Sequence, residues 1–413
     1  MDIKKIIREL IGNESFLKLR RFYYTPLQLY YQFSLSSKIA DVRKKPIIKV
    51  AFVIHELASW KTEELFVTML KHVRFEPLLL LSPSNDDKNA INTIRDYMDK
   101  KKYSYNILDS DKTICEQFNP DIIFYQKPYS SILPEKLFFS KNLKSLFCFV
   151  YYSFRNKTLR ESQNAPIHSF IWQEYIENNS VYEELREIMD NHARNIYVTG
   201  LPVMDQLVRS KESYNNPWKK NGKDKKKIIY APHHSVYSEL GEWSTFLKYC
   251  DFMLEMAIKY KDLVQFAFKP HPLLYPKLCN IWGKEKTDNY YKQWSVMDNT
   301  QIETGPYMDL FKHSDAMIHD CGSFMIEYLY TQNPVLYLYL DKHHNDIINK
   351  QSIEALEAHY EGWNKDDIEL FIQNVIEGKD DMVEKRKLYY NKYLLPPNNK
   401  TACENIINAI LGN

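Results

Sequence analysis

The chain has 413 residues, 44% hydrophobic and 26% charged, which suits two domains of roughly 150–200 residues and excludes a disordered tail. Its 55 Lys and Arg nearly balance 53 Asp and Glu, and a net charge of +2 gives no argument for nucleic-acid binding by the whole molecule. The six cysteines (Cys115, Cys148, Cys250, Cys279, Cys321, Cys403) are scattered without a CxxC pair, against a zinc ribbon or disulfide framework and in keeping with a reducing cytoplasm.

Residues 1–45 form a segment of their own. Ile3, Ile6, Ile7, Leu10 and Ile11 recur at helical spacing among Lys4, Lys5 and Arg8, and FLKLRRFYYTPLQLYYQF follows with Lys18, Arg20, Arg21 and many tyrosines. A basic amphipathic helix with aromatic sequence behind it reads either as a membrane-interface element or as a helix packed on the protein's own surface. The start, MDIKKIIRELIG, lacks an apolar core long enough for export, and no run approaches the roughly 18 apolar residues of a spanning helix. The expected location is the cytoplasm, with the inner face of the cell membrane within reach.

From residue 46 to 212 strands and helices alternate. IIKVAFVIH, PLLLLS, PDIIFYQ, SLFCFVYY and NIYVTG read as strands of a buried parallel sheet, with helices over Thr62–His72 and Ile91–Lys101. The lysine-rich stretch 213–227 reads as a linker. A second series fills 228–385: IIYAP, a helix near Thr245–Lys259, VQFAFKPHP, and the turn HDCGSFMIEY between AMI and PVLYLYL. Residues 386–413 read as terminal helices broken at PPNN. The expected fold is α/β, two Rossmann-like domains with parallel sheets facing a central cleft, and ligands in such folds sit beyond the carboxyl ends of strands.

The candidate residues stand at those ends. In HDCGSFMIEY a helix starting near Gly322–Ser323 would offer backbone N–H groups to a phosphate, with a Ser323 hydroxyl, and Glu327 one turn on suits two ribose hydroxyls. The bland reading is a core helix capped by Asp320 or Ser323. KPHP fixes Lys269 and His271 between prolines, a cation beside an imidazole that suits a diphosphate leaving group. APHHSVYSE places His233 and His234 in a loop after IIY. Paired with His343 and His344 these would read as a metal site, but adjacent histidines on an extended chain point apart and no HExxH spacing occurs, so no metal is expected. In the first half VIHELASWK ends a strand with His55 and Glu56, candidates for general base.

TGLPVMD (Thr199–Asp205), the AP-opened loop at Ala231–His234, Lys269–His271, and SDxxxxDxxSxxxE over Ser314–Glu327 followed by PVLYL together resemble the CDP-glycerol glycerophosphotransferase family, the teichoic-acid polymerase and primase type with the GT-B fold. The resemblance covers about 195–410, and 1–190 match in general layout. It implies an acceptor domain over 46–212 and a donor domain over 228–385. It also implies transfer of a polyol phosphate from a CDP-activated donor to a hydroxyl of a membrane-linked envelope glycan or polymer, with no cofactor beyond that donor. His233, His234, Lys269, Asp320, Gly322, Ser323 and Glu327 would bind the donor, and His55, Glu56 and His271 would carry the chemistry. Two departures stand out. The family's D-Y-S-S turn is Asp320-Cys321-Gly322-Ser323 here, and its Trp-His-Gly segment is replaced by Tyr151-Tyr152-Ser153-Phe154, which leaves the base to His55, Glu56 or His168. The same turn would also serve a GT-B glycosyltransferase using a UDP- or CMP-sugar, a sugar epimerase of similar fold, or a non-catalytic scaffold.

Overall fold

A computed structural model of the protein describes residues 3–84, 90–127, 132–157, 160–208, 215–220, 224–236, 244–340 and 348–413. The chain divides into two compact units. The first comprises 1–153, 158–205 and 396–413, and the second 154–157 and 206–395.

The first unit is a seven-stranded parallel sheet ordered β3-β2-β1-β4-β5-β6-β7. Its strands are β1 (Ile48–Ile54), β2 (Phe75–Leu81), β3 (Tyr105–Ile107), β4 (Ile122–Tyr125), β5 (Leu146–Val150), β6 (Ile171–Ile176) and β7 (Ile196–Val198). The apolar runs of β1, β4 and β5 are buried almost throughout, as a sheet covered on both faces requires. β6 departs from that rule: Gln173 and Glu174 are fully buried within it. The segment Ile3–Lys44 is helical along its whole length, kinked at Gly12. Tyr31 of this helix stacks on Phe147 with ring centres 5.6 Å apart, and Tyr24, Leu27 and Leu35 pack against the same core. Part of the first 45 residues is therefore integral to this unit.

The second unit repeats the winding with six parallel strands ordered β10-β9-β8-β11-β12-β13. They are β8 (Lys226–Ala231), β9 (Val264–Phe268), β10 (Thr300–Ile302), β11 (Ala316–His319), β12 (Val335–Leu338) and β13 (Tyr360–Gly362). Its core is strongly aromatic, with Phe268 stacked on Tyr230 and on Trp294 at 5.8 and 5.1 Å. Within the expected linker, Trp218 is buried, and Pro217 and Lys219 bond through their backbones to Gln301 of β10. In both sheets the order reverses beside the first strand, at β1/β4 and at β8/β11. Such switch points are where open α/β sheets form ligand crevices.

Candidate donor-binding site

Three neighbouring strands of the second unit, β9, β8 and β11, end in the three segments singled out from the sequence. β8 leads into His233 and His234, β9 into Lys269 and His271, and β11 into Asp320–Ser323. Backbone bonds hold the first two loops together: Lys269 N–H donates to Tyr230 O (2.8 Å) and His271 N–H to Pro232 O (3.1 Å). The prolines of KPHP leave few other conformations to that segment.

Asp320 spans the switch point. It is fully buried, and its carboxylate accepts from the His233 backbone N–H (2.5 Å), the Thr245 N–H (2.5 Å) and the hydroxyls of Ser244 and Thr245 (3.1 and 3.0 Å). Burial pushes this carboxyl above its usual range while the four bonds pull the other way. These partners belong to the protein, so Asp320 fixes the His233 loop.

Next to it, His319 and His359 form an ordered chain beneath the turn. Cys321 N–H donates to His319 Nδ1 (3.2 Å), the two Nε2 atoms lie 3.4 Å apart, and His359 Nδ1 meets the carbonyl of Ala355 at 2.7 Å. A carbonyl can only accept, so His359 carries its proton on Nδ1 and takes the His319 Nε2–H on its other nitrogen. Both rings are buried and neutral; burial lowers His359 to about 3.

The turn itself differs from the expectation built on a helix end. Ser323 is half-buried and its side chain caps nothing, but the α-helix after it is one turn long, Phe324–Glu327, continuing as a 3₁₀ segment over Tyr328–Thr331. A single turn sums little dipole. The backbone N–H groups of Ser323 and Phe324 also face the Cys321 sulfur, whose thiol burial pushes up to about 12. Gly322 is buried between them. Glu327 is 2% exposed and its carboxylate takes a hydrogen bond from the Tyr307 hydroxyl.

The histidines provide the more open chemistry. The rings of His233 and His234 have centres 4.2 Å apart, His234 and His271 4.2 Å, and His233 and His271 5.3 Å. One nitrogen of each lies within 4.8 Å of the others. Burial first, then the mutual repulsion of the rings and the nearby lysines, lowers His233 to about 3 and His271 to about 4. All three are neutral near pH 7. Lys269 points elsewhere: its Nζ donates to the carbonyls of Gly305 (2.8 Å) and Glu303 (3.4 Å). The cation beside the rings is Lys277, one turn into the helix Leu274–Trp282, with Nζ 3.0 Å from His234 Nδ1. Sequence reading missed Lys277 because it stands outside the KPHP motif. The only available cue was its i+6 placement from His271 on a helix leaving the same strand end. His343 and His344 lie outside the described residues.

At the first unit's switch point the layout is repeated. The backbone N–H groups of His55 and Glu56, beyond β1, both donate to Gln126 Oε1 beyond β4, at 2.9 and 3.3 Å. His55 is 2% exposed. Glu56 is partly exposed, pairs with Lys127 and accepts from Ser59 Oγ (2.7 Å). Burial raises its affinity for a proton, but these two partners outweigh it and hold the carboxyl below its usual range. His168 is buried against Glu174 of β6 at 2.9 Å.

Comparison with known proteins agrees with this architecture. The profile of the CDP-Glycerol:Poly(glycerophosphate) glycerophosphotransferase family matches residues 86–412. No curated protein sequence matches the chain. Among solved structures, the wall teichoic acid polymerase TagF is 16% identical with a TM-score of 0.58, over 95% of this chain and 96% of that one. A Staphylococcus aureus MnaA–UDP structure is 14% identical with a TM-score of 0.56, over 88% and 96%. A UDP-GlcNAc 2-epimerase from Neisseria meningitidis bound to UDP-GlcNAc is 15% identical with a TM-score of 0.56, over 89% and 100%. At these identities the likeness shows the shared GT-B fold.

Proposed function

The chain belongs to the CDP-glycerol:poly(glycerophosphate) glycerophosphotransferase family, and from that premise we propose that it moves a glycerol phosphate-like polyol phosphate from a CDP-activated donor to a hydroxyl of a membrane-linked envelope polymer. The observation that carries this reading is the trio His233, His234 and His271 gathered beyond β8 and β9, beside the switch point with β11, where a donor diphosphate would be held.

In the reaction so read, the acceptor oxygen attacks the β-phosphorus of the CDP-alcohol in line. The bond from that phosphorus to the bridging oxygen breaks, and CMP leaves with the electron pair. The imidazole N–H groups offset charge gathering on the leaving phosphate, so positioning and electrostatics supply most of the acceleration. Ser323 and the backbone at Gly322 complete the phosphate contacts, and Glu327, opened from its Tyr307 partner, would meet the ribose. For the acceptor proton the candidates remain His55 and Glu56, of which Glu56 is the more accessible. No metal and no cofactor beyond the donor enters the scheme.

Attachment to the membrane surface is part of the same proposal. No described helix is long and apolar enough to cross a membrane. The helix Ile3–Lys44 instead exposes Leu19, Phe22, Tyr23, Leu29, Tyr30 and Phe33 at helical spacing, opposite the face that carries Tyr31 into the core. An aromatic stripe on a helix whose sequence also holds Lys18, Arg20 and Arg21 fits an anionic lipid interface.

A nucleotide panel tests the donor. CDP-glycerol at a hundredfold its Kd should stabilise the fold by about 2.7 kcal/mol, read as a raised Tm, with CDP-ribitol next and UDP- and CMP-sugars giving no shift. A rise with UDP-GlcNAc alone would turn the reading toward a sugar-nucleotide enzyme. No rise with any nucleotide would favour a non-catalytic scaffold.

A further inference from the structure

The histidine trio has two opposite chemical readings, an oxyanion cradle or a metal site, and the hydrogen bonds made at the Nδ1 of each ring decide between them. A neutral imidazole carries one proton, so a nitrogen that accepts a hydrogen bond forces the proton onto the other. His271 Nδ1 accepts from the Leu273 backbone N–H (3.1 Å). His233 Nδ1 accepts from the Ser235 backbone N–H (3.3 Å) and lies 2.9 Å from its hydroxyl. His234 Nδ1 lies 3.0 Å from the Lys277 ammonium, which can only donate. His233 and His271 are thereby fixed as the Nε2–H tautomer, and the Lys277 ammonium holds His234 to the same form against the pull of its own backbone carbonyl. A metal needs a lone pair on the ligating nitrogen and usually has the other nitrogen donating outward, the reverse of this pattern. The low affinity of these partly buried rings for a second proton keeps them in the neutral form.

We propose that Lys277 is a positioning residue of the donor site: it locks His234 in the Nε2–H tautomer, so that His233, His234 and His271 present three N–H donors to the diphosphate of a nucleotide-linked donor and no ligand set to a divalent metal. The proposal rests on the reading of this cluster as the diphosphate site. Two of the three locks are backbone N–H groups that no side-chain change removes. The third is Lys277, so it is the only one that mutation can open. Without it His234 is free to carry its proton on Nδ1 and to turn a lone pair toward the phosphate oxygens, which repels the ligand.

The test uses full-length protein labelled with 15N-histidine, whose ring nitrogen shifts report the tautomer, together with calorimetric titration of CDP-glycerol, CMP and Zn²⁺. Wild type should show His234 as Nε2–H, with no stoichiometric Zn²⁺ binding. Lys277→Met should mix the His234 tautomers, leave those of His233 and His271 unchanged, and weaken CDP-glycerol by about tenfold, equal to 1.4 kcal/mol. Lys277→Arg, which keeps a donor at that place, should restore both the spectrum and most of the affinity. A wild-type spectrum with the proton on His234 Nδ1, or tight Zn²⁺ binding lost in His271→Ala, would overturn the proposal. So would a Lys277→Met protein with unchanged affinity while His271→Ala binds weakly; the diphosphate reading would then stand without Lys277. Should His233→Ala and His271→Ala both bind CDP-glycerol as wild type does, the diphosphate reading itself falls.

Discussion

At the scale of single residues the candidate site is braced by groups that bond to the protein itself. Asp320 reads from the sequence as a ligand or a cap, and the structure gives it four hydrogen bonds from three residues, His233 after β8 and Ser244 and Thr245 before the helix Phe246–Lys259. His319 and His359 were not candidates at all, since nothing local marks a histidine at the end of β11 as the partner of another forty residues on. Their relay yields a pH prediction. Each ring is neutral when folded, with its affinity for a proton lowered by burial, whereas the unfolded chain takes up protons near the ordinary value of 6.5. The unfolded state therefore binds more protons between about 6.5 and about 3, and stability must fall as pH falls through that window. The contribution is complete above 6.5. Urea unfolding of wild type and His359→Gln at pH 7.5 and 5 should show a smaller acid loss in the variant. Equal losses in both would remove the relay from the account.

At the scale of elements, the strands around the two switch points were legible because β1, β8, β9, β11 and β12 each carry a short apolar stretch, VAFVI, IIYA, FAF, AMI and VLYL. β6 was missed for a physical reason: Gln173 and Glu174 occupy its centre, a pattern that reads as surface, and their burial is made tolerable by partners such as His168 and Tyr175. The three-residue strands β3, β10 and β13 carry too little pattern to separate from loops. The first helix was obscured in another way, since aromatic residues lie on both of its faces and blur its period. That helix also carries its own prediction. Phe22→Ser with Phe33→Ser, both on the exposed stripe, should cut co-sedimentation with phosphatidylglycerol-containing vesicles several-fold while changing folding stability by no more than about 1 kcal/mol. Undiminished sedimentation would detach this stripe from the membrane. Deleting the whole segment would be a poor substitute, because Tyr31 is part of the core.

At the scale of the molecule, two parallel sheets of Rossmann-like winding were expected from the alternating pattern, whereas the bracing of both switch points by Gln126 and Asp320 was not, and the family match over 86–412 agrees with the motifs that suggested it. The path of the chain end was not legible. TGLPVMD reads as a turn, yet its Asp205 carboxylate accepts from the N–H groups of Ala402 and Cys403 at 2.8 and 2.9 Å, capping the final helix Ala402–Leu411 from 197 and 198 residues away. Gly200, at φ +81°, leaves space that Pro396 fills: a Cβ there would lie 3.1 Å from the proline ring. Such pairings depend on tertiary closure that no local window contains. The central claim is that the second unit holds a CDP-activated donor through its histidines. Calorimetric titration of CDP-glycerol into wild type and a folded His271→Ala variant tests it most directly. Saturable one-site binding, weakened at least about tenfold by the substitution, is the expected result. Absence of binding to wild type, or equal binding to both proteins, would contradict it.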